Sequence, residues 1–300
     1  MADETPFILS QYGSLKELEK FARELPKIEL HAHLNGSLSP ETLQYLVDIK
    51  KEEKPHLTNF KIPKKRLDTI NEFFLIFDFI YQLTDDEETV AYITEAVIRD
   101  FHKDGVKYLE LRSTPRKNES KGMTGESYVR AIISTIQKFP SSECDIIVRL
   151  ILSISRKDSL EEAMETADLA IKYKKAGVVG VDLCSDPSRG HIDNVKPAFV
   201  KAKSHGLKVT LHFGEIESNM LEHASMLTIP PDRVGHATYL DPYSRDYILS
   251  NKLPIEICMT SNVTCNTVKD YNEHHIKSFL SMEHPCCLGV SVSAVTPPSF

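Results

Sequence analysis

The 300-residue chain lacks the features that would carry it into a membrane or along a secretory route. No run approaches the ~18 consecutive apolar residues of a membrane span. The acidic start MADETPFILSQ lacks the basic and apolar regions of a signal peptide. The cysteines at 144, 184, 258, 265, 286 and 287 form no CxxC pair, which predicts reduced thiols in the cytosol. N-x-S/T triplets at Asn35, Asn118 and Asn262 are then chance matches, because a cytosolic chain never meets the glycosylation machinery. Blocks of basic residues are missing too: 36 Lys and Arg face 43 Asp and Glu, for a net charge of −7. That balance argues against nucleic acid or a membrane surface as the main partner.

Several catalytic templates are also absent. There is no GxGxxG, no GxxxxGK[ST], no GxSxG and no HExxH. The HxE…PCxxC signature of the zinc base deaminases fails as well, since Pro285-Cys286-Cys287 does not complete it. No linker rich in Pro, Gly or Ser divides the chain, so residues 1–300 are expected to form one domain. With 41% hydrophobic and 26% charged residues, the composition is that of a globular protein with a sizeable core.

What is present is alternation. Strand patterns at 28–34, 108–112, 146–154, 178–183, 208–213, 233–238 and 254–259 are separated by segments of helical periodicity. Those segments lie at 69–83, 87–103, 127–139, 159–175, 196–204, 243–250 and 275–282. In 159–175, Leu160, Ala163, Met164, Ala167, Ala170 and Ile171 fall on one stripe. Strand-then-helix repeated seven or eight times predicts an α/β fold of the (β/α)8 TIM-barrel type.

A barrel places its chemistry at the C-terminal ends of its strands. Those ends carry His31 and His33, Arg112 to Pro115, Asp182 to Asp186, His212 to Glu215, His236, and Thr260 to Asn262. Residues i and i+2 of a strand face the same side, so His31 and His33 both point at the barrel mouth. Taken alone, HxH fits two backbone-bonded histidines as well as it fits a metal site. Adding His212 produces three imidazoles at strand ends, the donor set of a zinc ion that keeps a place for water. Glu215 stands where it can exchange a proton with such a water or with substrate, and His236 where it can orient or deprotonate that water. The bland alternatives are a helix-start charge and a solvated loop histidine. The pair His274-His275 reads as a solvated helix face, because adjacent helical residues diverge by about 100°. A two-metal barrel bridged by a carboxylated lysine would need Lys at the end of the fourth strand, where Val181-Asp182-Leu183-Cys184 stands.

Six segments then carry a resemblance: PKIELHAHLNGS (26–37), YLELRSTP (108–115), VGVDL (179–183), LHFGE (211–215), RVGHA (233–237) and CMTSN (258–262). In this order they resemble the adenosine deaminase family, and within it the adenosine deaminase-like, N6-methyl-AMP deaminase branch, over about residues 20–285. The resemblance implies a metal-dependent hydrolase barrel that replaces a purine 6-amino or 6-alkylamino group with oxygen. It implies one Zn2+ per chain on His31, His33 and His212, with Glu215 as proton donor and His236 as the base that orients water. The expected reaction converts N6-methyl-AMP and water to IMP and methylamine, in a cytosolic monomer whose partner is a small purine nucleotide.

Asn35 stands where adenosine deaminases proper carry Asp. A neutral amide does not repel a 5′-phosphate, whereas a carboxylate does. Ser113, Thr114 and Arg116, with Pro115 in the same loop, supply hydroxyls and a guanidinium suited to phosphate; an ordinary turn with a solvated Arg116 is the alternative. Further substrate-pocket positions are His33, Tyr81 (His in close relatives), Ser155 (Asp) and Ser185 (Gly).

The sequence departs from the family after His284-Pro285. Val290-Ser291-Val292 stands where Thr-Asp-Asp is expected, so Ser291 replaces an Asp metal ligand. The tail 286–300 then reads as divergent, with the eighth unit and terminal helices altered or missing, as in an alternative C-terminus. Changes around a zinc site cost about 10–100-fold. The resulting expectation is a weakly active or inactive chain with apolar faces exposed on the first and eighth units. The runner-up is an impaired isoform that binds nucleotide or a partner without turnover; adenosine deaminase is a further alternative.

Overall fold

The computed structural model describes residues 13–59, 70–139 and 144–289. Eight strands run in the order β1 (Lys27–His33), β2 (Val106–Ser113), β3 (Ile147–Ser155), β4 (Val178–Cys184), β5 (Lys208–Phe213), β6 (Arg233–His236), β7 (Ile255–Ile257) and β8 (Cys286–Leu288). Each neighbour pair is parallel, forming one eight-stranded sheet curled into a nearly closed barrel. The expected (β/α)8 class is what the chain adopts. Cys286–Leu288 supplies the eighth strand, its pairing with β7 running from Ile255↔Cys286 to Ile257↔Leu288. Gly289 closes the seam: a Cβ there would stand 2.9 Å from the His31 Cβ.

The barrel holds because each strand buries an apolar face beneath the covering helices. Leu109, Leu111, Leu150, Leu152, Val181, Leu183, Val209 and Leu211 are all buried, as expected of parallel strands covered by helices. The covering helices start with named caps. Asp86 accepts from the Thr89 N–H at 2.8 Å at the head of the helix Glu87–Lys103, and Ser159 and Glu162 form a reciprocal capping box before Leu160–Lys172. Val90, Ile93, Val97 and Phe101 then fall on the face turned to the sheet. Outward-facing apolar groups remain on the first and last strands, where Ile28 is 57% and Leu288 60% exposed. Among the described residues, no helix is long and apolar enough to cross a membrane.

Most boundaries shift by a residue or two, the helix Pro40–Lys50 was not expected, and three departures have an identifiable cause or consequence. The helix expected from residue 196 spans Ile192–Ser204, starting before Pro197, because His191 accepts from the Asp193 N–H and Glu222 accepts from the Ile192 N–H. The seventh strand ends at Ile257, and the chain enters the short helix Met259–Thr264, so Asn262 sits on a helical turn. His274 and His275 do not form a solvated helix face. They precede the helix Ile276–Ser281 and stack at 4.4 Å, with His274 buried.

Candidate metal centre

Local geometry brings the histidines together. On β1, the two residues between Glu29 and Ala32 face the single residue between Leu109 and Leu111 on β2. This bulge turns His31 into the barrel mouth, as bulges beside functional sites do. His33 follows on the same strand, and His212 comes from the end of β5. The His212 Nε2 lies 3.2 Å from the His31 Nε2 and 3.0 Å from the His33 Nε2. Gly235 on β6 makes room for this, since a Cβ there would stand 2.8 Å from the His31 Cε1.

Two carboxylates set the ring orientation. His31 Nδ1 lies 2.6 Å from Glu256 Oε2, and His212 Nδ1 lies 3.0 Å from Asp182 Oδ1. A carboxylate can only accept, so each Nδ1 carries the hydrogen and each Nε2 presents a lone pair. Arg112, fully buried, ties the two acids together: Nη2 donates to Glu256 Oε2 at 2.7 Å, and Nη1 lies 3.3 Å from Asp182 Oδ1. Arg233 Nε donates to the other Glu256 oxygen at 2.7 Å. Burial alone would raise the Glu256 carboxyl, but the two guanidiniums hold it below its ordinary value. Burial pushes Asp182 up to about 6, with Arg112 opposing.

The imidazoles are held neutral. Burial, followed by the Arg112 charge and the other rings, keeps His31 well below its ordinary value, and burial, followed by His212 and Arg112, does the same for His33. Burial and then Arg112 push His212 down to about 3. Two Nε2 lone pairs 3.2 Å apart repel unless a cation lies between them. The site therefore fits a metal: tetrahedral bonds of about 2.0–2.1 Å would set nitrogens roughly 3.3 Å apart, and carboxylate-oriented imidazoles are the usual surroundings of metal-bound histidine.

Glu215 and His236 border this trio. Gly214, at φ +64°, turns the chain out of β5, and a Cβ there would strike the Tyr239 carbonyl oxygen. Glu215 follows, with Oε1 3.4 Å from the His236 Nε2. Burial pushes the Glu215 carboxyl up to about 8, against the opposing charge of Arg156. His236 is buried rather than solvated, sits at φ +66°, and its Nε2 makes no hydrogen bond. Its carbonyl accepts from His275 Nε2 at 2.8 Å. Left-handed backbone at a non-glycine residue costs about 1–3 kcal/mol and is characteristic of functional positions.

The remaining predicted residues divide. Asn35 is buried, its Nδ2 donating to Thr84 Oγ1 at 3.0 Å and its Oδ1 accepting from the Tyr128 hydroxyl at 3.1 Å and the Ser113 hydroxyl at 3.5 Å. Arg116 is not solvated: it lies 4.2 Å over the Tyr81 ring and donates to the Thr84 and Tyr81 carbonyls, binding the end of the helix Ile70–Leu83. Thr114 meets Cys184 at 3.6 Å, and Pro115 packs beside Gly125. Ser155 turns to its own loop, its N–H donating to Asp158. Ser185 adopts φ +85°, a conformation that glycine takes without strain. Ser291 lies outside the described residues.

Sequence reasoning placed Arg112 and Asp182 at strand ends without giving them a role, and it missed Glu256; the three support the trio. Their signal is a charged residue within each of the apolar strand segments I-E-I, V-D-L and L-R-S, because a charge buried in a strand must find a partner.

A parallel eight-stranded barrel with converging histidines, a raised carboxyl and supporting acids at its C-terminal mouth defines a metal-dependent hydrolase of the barrel type. The adenosine deaminase profile matches residues 26–294. The chain belongs to the adenosine deaminase family. It is 40% identical to the N6-methyl-AMP deaminase of Danio rerio over 285 residues, covering 91% of this chain and 81% of that one. The crystal structure of Arabidopsis N6-mAMP deaminase superimposes with a TM-score of 0.87 at 37% identity, covering 92% and 84% of the two chains. A structure of Arabidopsis ADAL complexed with IMP matches with a TM-score of 0.86 at 36% identity, covering 92% and 83%.

Proposed function

We propose that this chain is a zinc-dependent deaminase of purine nucleoside monophosphates that converts N6-methyl-AMP and water to IMP and methylamine. The observation that carries the reading is the convergence of neutral His31, His33 and His212 beside Glu215 and His236, in a chain 40% identical to an N6-methyl-AMP deaminase. Three imidazoles suit a borderline cation, and zinc bound there supplies an acidified water at neutral pH.

The residues of the chain do the rest. Glu215, with its carboxyl up at about 8, carries a proton at neutral pH and donates it to purine N1, which makes C6 electrophilic. His236 presents its free Nε2 to the attacking water, orients it and takes its proton. Attack at C6 forms the new C–O bond, and the C6–N bond then breaks as the departing methylamine gains a proton. Asn35 keeps a carboxylate out of the mouth and so tolerates a 5′-phosphate. Ser113 and Thr114 add hydroxyls nearby, while Arg116 fixes the helix that bears Tyr81. The enzyme acts as a cytosolic monomer on a small-molecule partner.

Zinc content and IMP formation from N6-methyl-AMP, measured on the same purified chain, test this reading. About one zinc per chain with turnover of N6-methyl-AMP well ahead of adenosine supports it. Faster turnover of adenosine, or turnover undiminished after metal removal, overturns it.

A further inference from the structure

We propose a second, thiophilic-metal site built from His31, His236 and Cys258, which competes with the histidine trio for one imidazole. One donor atom from each of the three residues lies within 4.8 Å of the other two, and all three residues are buried. Cys258 follows β7 and sits against the β8 seam, where a Cβ on Gly289 would come within 3.6 Å of its Sγ. His236 brings a buried Nε2 that makes no hydrogen bond, with Glu215 Oε1 3.4 Å away. Its ring centroid stands 5.0 Å from that of His31.

A thiolate with two imidazoles is a softer donor set than three imidazoles, so it selects thiophilic cations such as Cd2+ over the harder divalent metals. Binding forms an S–metal bond as the Cys258 thiol releases its proton to solvent. Glu256 holds His31 Nδ1, so His31 has one ring nitrogen to give. The trio and the thiol set therefore exclude each other, and a soft cation draws His31 out of the trio. This inference stands apart from the choice of substrate.

The metal-stripped full chain is titrated with Cd2+ while the ultraviolet thiolate-to-Cd2+ charge-transfer band is followed. The expected result is a band that saturates at one Cd2+ per chain, is abolished in Cys258→Ser, and is suppressed when Zn2+ is bound first. It survives in Cys286→Ser/Cys287→Ser, which removes the neighbouring partly exposed thiols, and weakens at least tenfold in affinity in His236→Ala. A band that persists in Cys258→Ser, disappears in Cys286→Ser/Cys287→Ser, or ignores prior Zn2+ overturns the proposal, as does its absence from the unmodified chain. Far-ultraviolet circular dichroism of each variant shows that a lost band is not a lost fold.

Discussion

Replacing Glu256 with Gln changes one buried charge and almost no volume. The carboxylate serves His31 Nδ1 and Arg112 on Oε2, and Arg233 and Thr210 on Oε1. Gln has one accepting oxygen, so whichever way it turns, its NH2 faces the N–H of a donor on the other side. Removing one member of a buried ion pair costs about 3–5 kcal/mol, which is a large share of the roughly 5–15 kcal/mol that holds a domain folded. Losing the group that orients a metal-binding histidine costs about 10–100-fold in metal affinity. Glu256→Gln is therefore expected to lose about 3 kcal/mol in urea unfolding and to bind Zn2+ about 10–100-fold more weakly against a competing chelator. Thr210→Val removes only the 3.3 Å bond to Oε1 and is expected to cost about 1 kcal/mol, with metal affinity unchanged. The discriminating result is Zn2+ affinity: if Glu256→Gln loses stability yet binds Zn2+ as tightly as the unmodified chain, the carboxylate does not orient His31.

Glu215→Gln is expected to lower kcat by about 10^2–10^4-fold while metal content stays unchanged. With the Glu215 carboxyl at about 8, the donor form is present below that value and is lost as pH rises through it. The kcat profile should therefore fall on its alkaline side, and a profile flat well above that pH contradicts the assignment. Ser185→Gly relieves a left-handed residue at φ +85° and is expected to raise stability by about 1 kcal/mol; a lower melting temperature would show that the Ser185 side chain makes up for the strain. Ser291→Asp restores the carboxylate that the family resemblance places there and is expected to raise Zn2+ affinity about tenfold or more, read by the same chelator competition.

Much of the barrel was legible because each strand repeats short Leu-, Ile- and Val-rich segments whose apolar face lies beneath the helices. The boundaries of β5 and of the helix Glu87–Lys103 were read without error. Reading failed where a distant side chain decided the local outcome. The helix Ile192–Ser204 begins early because Glu222 takes its first N–H, and His275 is drawn inward to the carbonyl of His236. Arg116 reads as a solvated or phosphate-binding cation, yet it stacks on Tyr81, a residue brought over it by the preceding helix.

The sequence by itself determined the alternation of strand and helix, the placing of His31, His33, His212, Glu215 and His236 at strand ends, and the motif order that marks the family. These are properties of residue type and short spacing, set by backbone period and side-chain direction. Only the tertiary structure decided that Glu256, 225 residues from His31, and Asp182, 30 from His212, would hold the two rings. It also decided that Arg112 would bridge both acids and that Cys258 would stand beside His31 and His236. The physical reason is closure: barrel curvature brings first and last strands together, and in the low-dielectric interior each buried charge must find its partners among inward-facing side chains and nearby backbone carbonyls.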